Sequence, residues 1–148
     1  MKRRILAIAA VTLLAVVLLA QPASAAIDGS YQSGTTPTNI TIYYEDTLSP
    51  RGYVDLRTAT FIPAGSTIDY GITVKWTVSR YGYYGMQVYL YNESGVGVAV
   101  PYSGSTVTAF NGQSAKQNWS VRFMVDSWSY PGQSLSITPK MTLYWDSP

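Results

Sequence analysis

The stretch Thr67-Ile-Asp-Tyr-Gly-Ile-Thr-Val-Lys-Trp-Thr-Val-Ser79 constrains the fold more than any other part of the chain. Ile68, Tyr70, Ile72, Val74, Trp76 and Val78 alternate with Asp69, Gly71, Thr73, Lys75, Thr77 and Ser79. Successive side chains of a strand point to opposite faces, whereas a helix would scatter these apolar residues around its circumference. The segment reads as a strand with one buried and one wet face.

The same period recurs along the chain. Thr38–Glu45 places Ile40, Ile42 and Tyr44 on one face, and Gly52–Ile62 alternates Val54 and Leu56 with Asp55 and Arg57. Met86–Tyr91 turns Met86, Val88 and Leu90 inward and leaves Tyr89 and Tyr91 outside. Lys116–Asp126 buries Trp119, Val121, Phe123 and Val125; Ser134–Trp145 buries Leu135, Ile137, Met141 and Leu143. Val96–Val100 and Ser105–Phe110 are shorter strands of the same kind. Proline cannot donate to a ladder, so Pro139 marks the last strand as an edge strand or a bulged one. Pro63–Ser66, Asn92–Gly95 and Asn111–Ser114 have turn compositions. About eight strands at this spacing, without an amphipathic helix, specify an all-β chain folded as an antiparallel β-sandwich. A closed β-barrel is the alternative.

Matching the apolar faces of neighbouring strands predicts a hairpin over Thr67–Tyr91. It would set Trp76 opposite Val88, Val78 opposite Met86, and Lys75 beside Tyr89, with Tyr81-Gly82-Tyr83 at the tip. Trp119 is expected in the core and Trp128 in a loop.

The ends of the chain read differently. Met1-Lys-Arg-Arg4, an apolar run from Ile5 to Ala20 and the closing Ala23-Ser24-Ala25 have the three parts of a secretory signal peptide. Residues 1–25 are expected to be cleaved, 26–37 to form a loose N-terminal segment, and 38–148 to form the single domain. Removing Lys2, Arg3 and Arg4 leaves seven basic and eight acidic residues, a net charge of −1, so the excess of positive charge belongs to the leader. No Lys/Arg stripe remains, which argues against nucleic acid as a partner. With no cysteine to carry a lipid, no stable membrane anchor is expected, and the protein reads as secreted and extracellular.

Composition also bounds the chemistry. The chain has no histidine and no cysteine, which removes Ser-His-Asp and Cys-His nucleophiles and imidazole or thiolate metal sites. No Gly-rich loop opens a helix, so nucleotide fingerprints are missing. Carboxylate pairs suffice for glycoside hydrolysis, but no spacing among the acidic residues singles out a pair. Glu45-Asp46 could help hold calcium, but calcium needs several oxygen ligands and two carboxylates are a weak signal for it. The reading is a non-enzyme that uses no cofactor and no metal.

Aromatic residues are distributed unevenly between the two ends of the sandwich. If every turn reverses the chain, Asp46–Arg51, Arg80–Gly85, Pro101–Gly104 and Ser127–Gln133 lie at one end. They carry Tyr81, Tyr83, Tyr84, Tyr102, Trp128 and Tyr130 with Arg51 and Arg80. The opposite turns carry no aromatic residue. Tyrosine and tryptophan offer rigid contact area with a polar handle, so these eight residues form the expected ligand-binding set. The competing reading folds the rings back over the core. Outward Tyr43, Tyr89, Tyr91 and Tyr144 are expected to be cross-strand packing partners. The first functional reading is therefore a secreted binding domain recognising a glycan or a protein surface. The second is a self-associating structural or surface protein pairing through Val96-Gly-Val-Ala-Val100, and the third a small secreted toxin or bacteriocin.

Overall fold

The computed structural model describes residues 28–148, so the expected signal peptide lies outside the described residues. Among these, nine strands and no helix are found: β1 (Gly29–Gly34), β2 (Ile40–Ile42), β3 (Gly52–Asp55), β4 (Thr67–Val78), β5 (Tyr83–Tyr91), β6 (Gly97–Ala99), β7 (Thr106–Val107), β8 (Asn118–Trp128) and β9 (Leu135–Asp146). They form two antiparallel sheets that face each other without closing into a barrel. In the first the order is β1-β9-β4-β7, with β2 continuing the β1 edge along β9; in the second it is β3-β8-β5-β6. The expected sandwich is the observed architecture.

The period-two pattern works as read in the long strands. Ile72, Val74, Ile137, Met141 and Leu143 of the first sheet meet Val88, Leu90, Trp119, Val121, Phe123 and Val125 of the second, and all are buried. Rings cross the interface edge to face: Trp76 on Phe123 at 5.7 Å, and Phe110, from the β7–β8 connection, on Trp119 at 5.3 Å. Trp119 donates its indole N–H to the carbonyl of Ala115, so the largest core side chain is also satisfied.

Pairing partners differ from expectation. β4 and β5 do not form a hairpin: β4 lies between β9 and β7, β5 lies between β8 and β6, and the chain crosses from one sheet to the other at residues 79–82. Trp76 sits opposite Pro139 and Val78 opposite Ile137, while Val88 pairs with Phe123 and Met86 with Val125. Lys75 accordingly faces Lys140, not Tyr89. Alternation states which face of a strand is buried, and both the hairpin and the sheet crossing satisfy it. Trp76 does keep its inward orientation, but it reaches Phe123 across the sandwich.

Tyr70 is a second departure. Register shifts between Ile68 and Ile72 where β4 bulges against β9, and Tyr70 adopts a φ of 63°. The bulge swings its ring from the expected inner face to the outside, where it is 66% exposed. Three further strands are shorter than their patterns: Gly52–Ile62 yields only β3, Ser105–Phe110 only β7, and Thr38–Glu45 only β2, which leaves Tyr44 exposed.

The segment expected to be loose contains β1, which runs along β9 from Gly29 opposite Trp145 to Gly34 opposite Lys140. Its signal is weak because an edge strand with a polar outer face places little more than Tyr31 against the core. Its backbone satisfies a flank of β9 that would otherwise expose its ladder groups. Pro139 lies in this central strand, contrary to the expected edge or bulged one. Trp76 directs both its N–H and its carbonyl to the Ser103 hydroxyl, away from β9. The Trp76–Pro139 pair is therefore a non-hydrogen-bonded one, and the Pro139 nitrogen faces the interval between β1 and β2. No donor is needed there. Residues 35–39 leave the sheet at this interval, and Thr36 exchanges two backbone hydrogen bonds with Tyr53 of β3, at 2.8 and 2.9 Å, linking the two sheets.

At the end of the sandwich opposite residues 79–82, Asp146 lies beside Asp69 and Asp28. Loss of hydration, then the hydrogen bond and negative charge of Asp69, raise its pKa above the ordinary carboxylate value. Its Oδ1 is buried without a donor, because the neighbouring group is another carboxylate; a proton on Asp146 supplies the missing bond. The folded chain thus holds this proton more tightly than the unfolded chain does. The associated stability is full below the ordinary carboxylate range and is lost as pH rises through the raised pKa. Asp146→Asn is expected to flatten that part of the stability profile, as measured by urea melts from acid to neutral pH; an unchanged slope would refute the assignment. Trp119→Ala is expected to cost roughly 3–5 kcal/mol in the same melts. Half-buried Trp128 should cost less.

Candidate functional site

Three connections meet at one end of the sandwich: residues 43–51 after β2, 79–82 between the sheets, and 129–134 between β8 and β9. The end of β8 holds them together. Tyr83 pairs with Trp128, and Ser129 N–H donates to the Gly82 carbonyl at 3.0 Å. Trp128 N–H donates to the Glu45 carboxylate at 3.2 Å, and Asp46 N–H to the Val125 carbonyl at 2.9 Å. The two tyrosine-bearing tips are therefore in direct contact at the same end, as the count of chain reversals predicts. That count survives the loss of the hairpin, because a chain reverses whether its next strand joins the same sheet or the opposite one.

Between these connections lies an open cleft of about 590 Å³, lined by Tyr43, Tyr44, Glu45, Trp128, Pro131 and Gly132. Tyr43 and Tyr44 are 64% and 73% exposed. A smaller cleft of about 240 Å³ shares the same two tyrosines and runs toward Leu48 and Pro50. Glu45 is the acidic residue of the larger cleft. One of its oxygens accepts the Trp128 N–H, which leaves the other able to accept from a ligand. Among the described residues no three His, Cys, Asp or Glu side chains converge to hold a metal ion.

The fold has a solved counterpart. The crystal structure of FLHE is similar to this chain with a TM-score of 0.58 at 13% identity, over 83% of this chain and 100% of that one. No family model matches the chain, and no curated protein matches its sequence. At this identity the likeness is one of fold.

Of the eight expected binding residues, the structure brings six to this end. Tyr81, Tyr84 and Tyr130 are exposed there, Tyr81 at 90%, and Arg80 stands exposed beside Tyr81. Tyr83 and Trp128 are half-buried and pack against the core. Burial, followed by the charge of Tyr81, pushes the Tyr83 phenol pKa upward. For these two rings the core-packing reading applies. Trp128 ends β8 and does not sit in a loop.

Arg51 and Tyr102 lie elsewhere. The 46–51 segment does not end in a tip but runs back along β8, with Ser49 N–H donating to the Phe123 carbonyl. Arg51 therefore stacks 4.3 Å over Tyr91 on the outer face of the second sheet and donates to the Ser120 hydroxyl. Tyr102 is held along the flank of β4, because Gly104 N–H donates to the Val74 carbonyl. Tyr89 donates its hydroxyl to Gln87 of the same strand.

Tyr43, Tyr44, Glu45, Pro131 and Gly132 were not among the expected residues. The sequence pattern makes Tyr43 an outward packing partner and Tyr44 inward-facing; both are instead exposed beside the cleft. β2 ends at Ile42, before both tyrosines, and Asp46 takes a φ of 51° in the turn that follows.

Gly85 positions the β5 side of the site. It has a φ of 59°, and a side chain there would run into the Asp126 carboxylate. Gly85→Ala is expected to destabilise the fold by about 1 kcal/mol or more through backbone strain alone. A thermal melt equal to that of the parent would overturn this account of Gly85.

Proposed function

We propose that this chain is an exported, non-catalytic domain that binds glycans through its aromatic end. The observation that carries the reading is the exposed Tyr43–Tyr44 pair set against Trp128 and Glu45 around an open cleft. Ring faces suit the C–H faces of sugars, and a free carboxylate oxygen accepts from sugar hydroxyls. Tyr81, Tyr84 and Tyr130 extend the aromatic surface beside it. A single carboxylate in the cleft supports a non-catalytic role, since glycoside hydrolysis ordinarily uses two acidic residues flanking one bond.

A protein surface remains the rival ligand at the same rings. Self-association through Val96–Val100 is less favoured, because its edge strand β6 is only three residues long. Short edges are a common protection against pairing. Export rests on the basic start, the apolar run and Ala23-Ser24-Ala25. It predicts a secreted form whose N-terminal sequence begins at Ala26.

A glycan array followed by calorimetry on the best ligand tests the binding reading. Tyr43→Ala with Tyr44→Ala is expected to weaken binding by roughly tenfold or more, as two stacking contacts of about 0.5–1.5 kcal/mol each are lost. The melting temperature should stay near that of the parent, because both rings are exposed. A silent array, or undiminished binding by the double variant, would end the proposal.

A further inference from the structure

The outer face of the first sheet carries a pattern that the aromatic end does not explain. Lys75 of β4 and Lys140 of β9 stand directly opposite each other. Like charges so placed on a sheet repel, and a neighbouring carboxylate usually compensates. None does here. Among the described residues the ion pairs are those of Arg57 with Asp55 and Glu93. On these two strands the nearest carboxylates are Asp69 and Asp146, each six residues along, about 20 Å away. The lysines border a groove of about 530 Å³ that also includes Gln32, Thr77, Ser103 and Thr138. The stem of Lys75 runs past Gly104 of the β6–β7 connection.

A second, independent feature lies on the same face. Tyr70 and Tyr144 meet edge to face at 6.1 Å, four residues from Lys140 along β9, about 14 Å away. Tyr70 reaches that position only through the bulge and its φ of 63°. A bulky aromatic residue in the left-handed region is a true outlier, and such strain gathers at functional positions. Without the bulge, the ring would point inward. Between the two pairs lie Thr142 and Gln32, joined by a hydrogen bond.

We infer that this face is a second binding site, for an acidic oligosaccharide such as one built of uronate or sulfated sugars. Unpaired ammonium groups recognise the anion, and exposed Tyr70, packed on half-buried Tyr144, stacks a sugar ring further along the same chain. A groove of this size exceeds the needs of a lone inorganic anion and falls in the range of small-ligand pockets. The site is separate from the Tyr43–Tyr44 cleft, so either proposal can fail without the other.

Calorimetry on residues 26–148 tests it with four probes: an oligogalacturonate, its carboxyl-reduced neutral counterpart, inorganic phosphate and anionic phospholipid vesicles. The oligogalacturonate is expected to bind, with affinity falling as salt rises. Lys75→Gln with Lys140→Gln should weaken it roughly tenfold or more, and Tyr144→Ala severalfold. The same loss on substituting the lysines is expected in a Tyr43→Ala, Tyr44→Ala background, where the aromatic-end cleft is disabled. The lysine double variant should melt at or above the parent temperature, because repulsion is relieved; a lower melting temperature would mark the lysines as structural and overturn the site. Equal binding of the neutral counterpart would overturn it too, as would phosphate binding as tightly as the oligosaccharide. Binding of vesicles without oligogalacturonate would replace the saccharide with a lipid surface and so refute the proposal.

Discussion

The antiparallel ladder between β4 and β9 is the constraint on which the rest of the molecule depends. It runs from Thr67 opposite Asp146 to Val78 opposite Ile137, the full length of the sandwich. Its inward side chains, Ile72, Val74, Ile137, Met141 and Leu143, are fully buried. Each side chain of this size contributes about 1.5–3 kcal/mol when removed from water, so displacing the ladder would expose much of one core face. With β4 committed to β9, its other flank goes to β7, and β5 must find its partners in the opposite sheet. The crossing at residues 79–82 follows from that commitment.

Pro139 carries the same ladder's influence to the far flank of β9. Its missing N–H is harmless only where no neighbour asks for a hydrogen bond, and β1 and β2 stop on either side of that position. The chain uses the interruption to reach Tyr53 in the second sheet. A residue that looked like a sign of an exposed edge thus marks the place where the sandwich is fastened along one side. Its strand is central because β1, scarcely visible in the pattern of apolar residues, covers the flank.

The two ends of the sandwich are finished by different means. One is closed by buried side chains, Leu56, Ile62, Phe110 and Trp119, beneath small polar turns. At the other, half-buried Tyr83 and Trp128 cover the core while Tyr43, Tyr44, Tyr81, Tyr84 and Tyr130 stand largely in solvent. An aromatic residue serves both purposes, since its body is apolar and its rim is polar. The end that seals the core with rings is therefore also the end that presents rings to a ligand. The outer face of the first sheet obeys a different logic, with charge and strain that its own packing does not require.

Residue by residue, the alternation in Thr67–Ser79, Lys116–Asp126 and Ser134–Trp145 sufficed to assign nearly every core side chain of β4, β8 and β9, because the pleat has a period of two whatever the neighbour. Tyr70 is the exception, and a bulge is a tertiary event that a period cannot foresee. Chain reversal likewise sufficed to bring Tyr81 and Tyr84 to the end that holds Trp128 and Tyr130. What lay outside the sequence was partnership. Whether β4 pairs with β5 or β9, whether Arg51 stays at a tip or follows β8, and whether Tyr43 and Tyr44 face a cleft are all settled between segments far apart in the chain. Local pattern determines which way a side chain points; only the competition among strands for the same ladder and the same core decides what it meets.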